Sequence, residues 1–252
     1  MSIPEIRVFE DREHLYWAAA TRFEQLARVK AIEKKALSVA LSGGSTPRPL
    51  YEILGSATFA GRVRWTNVQL FQVDERTVPP TDPQSNYRLI REAMLDSAPL
   101  PPENFHRMEA ERPDREQAAR DYTEELRRVV PLGAGGFPQL DLVFLGMGPD
   151  GHTASLFPGT PALMEHAAWV VANPVAQLNT WRLTLTLPVL NAAAHVIFIV
   201  AGEDKAERLR EVLENPAAGL PAQKVQPVNG RVSWFLDQEA ARCLSRKPGR
   251  SL

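Results

Sequence analysis

Short apolar runs of strand length recur along this 252-residue chain, separated by longer stretches with helical periodicity or loop character. That alternation constrains the fold more than any other feature, because a strand that is apolar on both faces must be covered on both. Runs of this kind occupy residues 36–41, 68–73, 141–145 and 195–201, with a shorter one at 6–9. Between the first two strands, residues 12–35 read as one amphipathic helix carrying Leu15, Ala19, Phe23, Leu26 and Val29 on one face. Thr46 fits an N-cap and Pro47 a first helical position, so a helix through Leu50 and Leu54 should start there. Residues 85–95 and 114–130 read as further helices, and residues 182–187 alternate as a half-exposed strand would. The expected fold is α/β, with a mainly parallel sheet flanked by helices on both faces. It should be one domain over residues 1–245, followed by a tail at 246–252 whose Arg, Lys, Pro, Gly and Ser content reads as disordered.

Charge narrows the partners. The 29 basic and 30 acidic residues leave a formal charge of −1, which gives no field for nucleic acid or an anionic membrane. Arg127 and Arg128 are too short a basic run for a nucleic-acid patch, and residues 109–128 read as a solvated helix face. An anionic partner must therefore be held by a local site. Cys243 is the sole cysteine, which excludes an internal disulfide, and no Cys/His cluster has zinc spacing. No apolar run approaches the ~20 residues of a spanning helix, and the first residues lack the apolar core of a signal peptide. The chain is expected to be a cytoplasmic, soluble monomer or small homo-oligomer that needs no metal and no cofactor.

In open α/β sheets, ligands bind beyond the carboxyl ends of the strands. Four polar or glycine-rich segments fall at such ends. In the first, Ser42, Gly43, Gly44, Ser45 and Thr46 join a strand to a helix, so that backbone N–H groups and hydroxyls can meet an anion. The glycine spacing fits neither nucleotide fingerprint, which favours a single phosphate; the alternative is a tight turn with an ordinary cap. In the second, Asp74, Glu75 and Arg76 bring an arginine fork suited to phosphate or carboxylate, with Glu75 read as part of a salt-bridged loop. The third is Gly146-Met147-Gly148-Pro149-Asp150-Gly151-His152. There His152 can take a proton from water near neutrality and Asp150 can orient it; the alternative is a turn-closing Asp beside a solvated His. In the fourth, Lys205 stands at a helix start, where its charge opposes the helix dipole unless an anion lies nearby. No GxSxG elbow supports a serine hydrolase, and Trp65 and Trp169 read as packing residues.

Taken in order, these segments resemble the 6-phosphogluconolactonase family. The stretches that carry the resemblance are Leu41-Ser42-Gly43-Gly44-Ser45-Thr46-Pro47, Asp74-Glu75-Arg76 with Ser85-Asn86-Tyr87, the run from Gly146 to Pro158, and Trp181-Arg182-Leu183-Thr184-Leu185-Thr186. The resemblance implies a Rossmann-like sheet, and hydrolysis of 6-phosphoglucono-δ-lactone to 6-phosphogluconate in the oxidative pentose phosphate pathway. It makes His152 the general base with Asp150 beside it. Residues 42–46, Asp74, Arg76, Asn86, Arg182 and Lys205 become the groups that bind the sugar phosphate. Glucosamine-6-phosphate deaminases share the glycine loop and the Asp-Gly-His segment, but carry Asn-Glu-Pro where this chain reads Leu156-Phe157-Pro158. They also carry Asp-Glu-Tyr where it reads Asp74-Glu75-Arg76. A phenylalanine cannot shuttle a proton, so the substitution favours hydrolysis over amino-sugar isomerisation. A sugar-phosphate sensor without turnover would want a DNA-binding segment at one end, and the first strand begins too early and the tail is too short for one.

Overall fold

The four long apolar runs become neighbouring strands. The structure, a computed structural model, describes residues 4–245, so the expected tail at 246–252 lies outside the described residues. The strands are β1 (Glu5–Phe9), β2 (Leu37–Leu41), β3 (Val68–Gln72), β4 (Asp74–Arg76), β5 (Phe105–His106), β6 (Leu142–Leu145), β7 (Val170–Val175), β8 (Thr180–Leu185), β9 (His195–Val200) and β10 (Arg231–Asp237). The helices are α1 (Arg12–Ile32), α2 (Arg48–Gly55), α3 (Ala57–Ala60), α4 (Asn86–Ile90), α5 (Arg115–Val129), α6 (Leu187–Ala192), α7 (Ala206–Glu214) and α8 (Gln238–Ala241). Seven strands form one sheet in the order β1-β10-β9-β6-β2-β3-β5, with every pairing parallel.

Strand side chains alternate between faces, and this sorts the core into two halves. On β6, Leu142 and Phe144 pack with Phe23 of α1 and Leu54 of α2, whereas Val143 and Leu145 pack with Leu126 of α5 and Leu209 of α7. The sheet is thus covered by helices on both faces, as the continuous apolar runs require. Trp65 and Trp169 are buried packing residues, as read from the sequence.

β4, β8 and β7 form a second, antiparallel sheet of three strands. The sequence places residues 74–76 in a loop at a strand end, but the structure makes them a strand. Val73 is the junction: its N–H donates to Leu41 O at 2.9 Å, in the large sheet, while its own C=O accepts from Leu185 N at 2.9 Å. The chain thus leaves one sheet and enters the other within a single residue. Three further expectations change. Val29 is 48% exposed, because the buried ridge steps by four through Leu15, Ala19, Phe23 and Ala27. Val29 lies about 200° round the axis from Ala27. The helix read over 85–95 is α4 followed by a wider π-type turn over Arg91–Leu95. Thr46 does not cap α2, since Pro47 holds the N-cap position with an αR backbone and no side chain caps the helix.

At the amino end of β9, opposite the strand ends that carry the polar loops, His195 is 4% exposed. Arg22 Nε donates to its Nδ1 at 3.5 Å; its Nε2–H reaches Ser233 Oγ at 2.9 Å, and that hydroxyl donates to Glu5 Oε2 at 2.7 Å. This network suits a neutral ring. Burial pushes the imidazole down to about 4, against the opposing charge of Glu5. An unfolded histidine titrates near 6.5, so the unfolded chain binds this proton first as pH falls. The stability held by neutral His195 is complete above about pH 6.5, is lost progressively toward pH 4, and levels off below, at a cost of at most about 3 kcal/mol. We expect urea midpoints of His195→Gln to fall less steeply than wild type between pH 6.5 and 4. Parallel slopes would show that other groups govern the acid limb.

Candidate active site

Because β9, β6, β2 and β3 lie side by side and point the same way, the loops that leave them crowd one edge of the sheet. Three of these loops surround a cleft of about 450 Å³. Ser42, Gly43, Gly44, Ser45, Thr46, Asp74, Arg76, Asn86, Asp150, His152 and Arg182 all line it. Lys205 does not. At its strand end the Gly202 N–H is already taken by the buried Asp237 carboxylate at 3.0 and 3.1 Å, and Arg12 neutralises that carboxylate at 3.2 Å. The Lys205 ammonium pairs with Asp204 at 3.2 Å, so the charge mismatch at the helix start is answered inside the protein.

The loop after β6 turns back on itself: Gly148 N donates to His152 O at 2.9 Å and Gly151 N to Gly148 O at 3.1 Å. Asp150 Oδ1 accepts from His152 N at 3.1 Å and lies 2.5 Å from His152 Nδ1. An Nδ1–H donated to a carboxylate leaves the lone pair on Nε2, the nitrogen that can accept a proton. Burial pushes the Asp150 carboxyl up, but the charge and hydrogen bonds of His152 outweigh it and leave the group below its ordinary value. The Phe157 ring backs the imidazole at 4.1 Å between centroids. Gly148 supplies the other wall, since a Cβ there would stand 2.1 Å from His152 Nδ1 and Cε1.

Across the cleft the polar groups are acceptors. Asp74 is 7% exposed, and its Oδ2 accepts from Ser155 Oγ at 2.6 Å. Asn86 Nδ2 donates to Asp74 O at 2.9 Å, which leaves Asn86 Oδ1 buried without a protein partner; Ser42 Oγ is likewise unpaired. Buried polar atoms left in this state favour a ligand that carries hydroxyl donors.

The sequence profile of the family described as glucosamine-6-phosphate isomerases/6-phosphogluconolactonase matches residues 10–234. The chain belongs to this family. It is 42% identical over 210 residues to a 6-phosphogluconolactonase of Synechocystis, a match covering 82% of this chain and 84% of the relative. It is 43% identical over 217 residues to the 6-phosphogluconolactonase of Rattus norvegicus, covering 82% and 80%. The crystal structure of 6-phosphogluconolactonase from Thermotoga maritima superposes with a TM-score of 0.78 at 31% identity, over 93% of this chain and 99% of that one.

Within this member of the family, Arg76 and Arg182 are cross-strand partners on β4 and β8. Neither is in an ion pair among the described residues. Burial, and then the neighbouring charge of Arg76, pushes the Arg182 guanidinium down from its ordinary value. The carboxylates of Asp74 and Glu75 oppose that shift without pairing directly with either arginine side chain, and two guanidiniums on neighbouring strands favour an anion between them. No local pattern marks Gln177 and Leu178, at the tip joining β7 to β8, as reaching the cleft, because β7 itself contains Asn173 and Pro174 and reads poorly as a strand. Nor does any local pattern link Asp74 with Ser155, which lie 81 positions apart. The expected salt bridge of Glu75 is absent among the described residues; its carboxylate is 2% exposed and accepts hydrogen bonds from neutral groups.

Among the described residues, no group of three or more His, Cys, Asp and Glu side chains is arranged to hold a metal ion, and no helix is long and apolar enough to cross a membrane.

Proposed function

We propose that this chain hydrolyses 6-phosphoglucono-δ-lactone to 6-phosphogluconate, with His152 as the general base. The observation that carries this reading is the His152–Asp150 pair, 2.5 Å apart and backed by Phe157, in the same cleft as paired Arg76 and Arg182. The names of the relatives agree with it.

In this mechanism His152 Nε2 takes a proton from a water molecule as its oxygen attacks the lactone carbonyl. The bond to the ring oxygen then breaks, and the imidazolium returns the proton to that leaving oxygen. Asp150 keeps the ring in the tautomer that can do both, and stabilises the imidazolium between the two steps. The guanidiniums of Arg76 and Arg182 take the phosphate, with N–H groups and hydroxyls of residues 42–46 as further donors. Asp74, Ser42 Oγ and the free Asn86 Oδ1 accept from the sugar hydroxyls. Lys205 has no direct role in this assignment. Phe157 lies where an acid would be needed to move protons between carbons, so amino-sugar isomerisation is not favoured.

The test is a coupled assay. Lactone is generated from glucose 6-phosphate by a dehydrogenase, and its loss is followed with and without this protein against the spontaneous rate. Ammonia release from glucosamine 6-phosphate is followed in parallel. We expect faster lactone loss and no ammonia. Ammonia release without faster lactone loss would replace the lactonase reading with a deaminase.

A further inference from the structure

We propose that Glu75 is a positioning residue for substrate binding: its buried carboxylate fixes Arg76 and Asn86 at the wall of the cleft by gathering donors from three segments of the chain. Its Oε1 accepts from Arg76 N at 2.7 Å and Asn86 N at 2.8 Å. Its Oε2 accepts from Gln72 Nε2 at 2.8 Å, Tyr87 N at 2.8 Å and Ser85 Oγ at 3.2 Å. The donors belong to the end of β3, to β4 and to the start of α4, and all are uncharged. Asn86 and Tyr87 hold the first N–H groups of α4, which no intrahelical carbonyl can satisfy. A carboxylate at a helix start also complements its dipole. Burial pushes the Glu75 carboxyl up, against the hydrogen bonds from Asn86, Gln72, Tyr87 and Arg76.

The geometry passes from Glu75 to the cleft in two ways. Asn86 is held so close to the glycine loop that a Cβ on Gly43 would stand 1.7 Å from Asn86 Oδ1. That contact leaves no slack: if the start of α4 drifts, Asn86 Oδ1 leaves its place against Gly43 and Asn86 Nδ2 its bond to Asp74 O. On the other side, the Arg76 backbone is tied to Glu75 and its guanidinium donates to Gln84 O, one residue before Ser85, so both ends of the intervening loop are anchored. A glutamine cannot replace this carboxylate. Its amide nitrogen would face donors, and Gln72 cannot turn its own oxygen inward because Gln72 Oε1 already accepts from Met108 N at 2.8 Å.

This proposal rests on the lactone reading only for the choice of substrate. It is tested in the full chain with Glu75→Gln and the milder Ser85→Ala, which removes one donor to Oε2 and one cap of α4. For Glu75→Gln we expect KM for 6-phosphoglucono-δ-lactone to rise about tenfold or more, the scale of buried donors losing their acceptor. We expect kcat to fall less than about threefold, because Asp150 and His152 touch none of these groups. Ser85→Ala should move KM in the same direction by about threefold. Amide exchange should quicken over residues 76–90 and stay unchanged over 146–157. A folded variant with lowered Tm but KM within twofold of wild type, or with unchanged exchange over 76–90, would overturn the proposal. If Glu75→Gln does not fold, Ser85→Ala decides by both readouts. If the wild-type chain leaves the lactone untouched, the function reading falls, and the exchange pattern alone decides the role of Glu75.

Discussion

His152→Ala is expected to lower kcat for lactone hydrolysis by about 10²–10⁴-fold, the range that a positioned acid–base group contributes, while KM stays within about threefold. The asymmetry follows from the geometry. The imidazole bonds to Asp150 through Nδ1 and rests on Phe157, so nothing that would grip phosphate or sugar depends on it. Its side chain is 25% exposed, so removing it opens no sealed cavity, and Tm should change little. Steady-state kinetics corrected for spontaneous lactone opening measure both parameters. A kcat within about threefold of wild type would mean that the water is activated elsewhere, and the acceptor cluster around Asp74 would be the next place to look. A large rise in KM with kcat preserved would instead make His152 a binding residue.

Gly148→Ala is expected to lower kcat by about 10²-fold without touching a single functional group, because small misplacements of a reacting group cost rates of that order. The added Cβ would fall 2.1 Å from His152 Nδ1 and Cε1, so the imidazole must swing off both Asp150 and Phe157. Gly146→Ala is the matched control. Two residues earlier in the same loop, and also lining the cleft, its Cβ would meet no protein atom within 4 Å, so His152 stays in place and kcat should match wild type. Assaying the two variants side by side separates the effect of a stiffer loop from the displacement of His152. If both variants keep full activity, the imidazole has room to move and still works, and the orientation by Asp150 matters less than the geometry implies. If both lose activity equally, loop stiffness and not the contact with His152 is responsible.

The parts of the fold that were legible were those where burial on both faces leaves a mark in the sequence. Residues 37–41, 142–145 and 195–200 are buried throughout, and each reads as an apolar run, interrupted only by Ser38 and His195, because helices cover it above and below. The second sheet left a weaker mark. β4 is only three residues of charged side chains, and its strand character comes from pairing with Arg182, Leu183 and Thr184 more than a hundred positions away. β10 leaves no clear mark although it runs beside β9, and Ser233 inside it is buried with its hydroxyl bonded to His195 and Glu5. The polar loops of the site were found for a simple reason: glycine, serine and charged residues directly after an apolar run have no business in the core.

What the sequence determined by itself was therefore five of the seven strands of the large sheet, its helical cover, and a set of polar residues placed by the chain at the carboxyl ends of strands. Local patterning suffices for this because the side-chain periods of strands and helices are fixed by backbone geometry. Which of those residues meet was decided by tertiary structure alone. Lys205 stands at a strand end like the other candidates, yet Asp237, from a strand more than thirty positions later, fills the turn beside it. Glu75 looked like half of a surface ion pair, but burial at the junction of two sheets and a helix start turned it into an acceptor for five neutral donors. Gly148 carried no signal of its role, since the role is the empty space its missing side chain leaves for His152. Contacts between segments distant in the chain, and the desolvation they impose, set the value of each group, and no window of neighbouring residues encodes either.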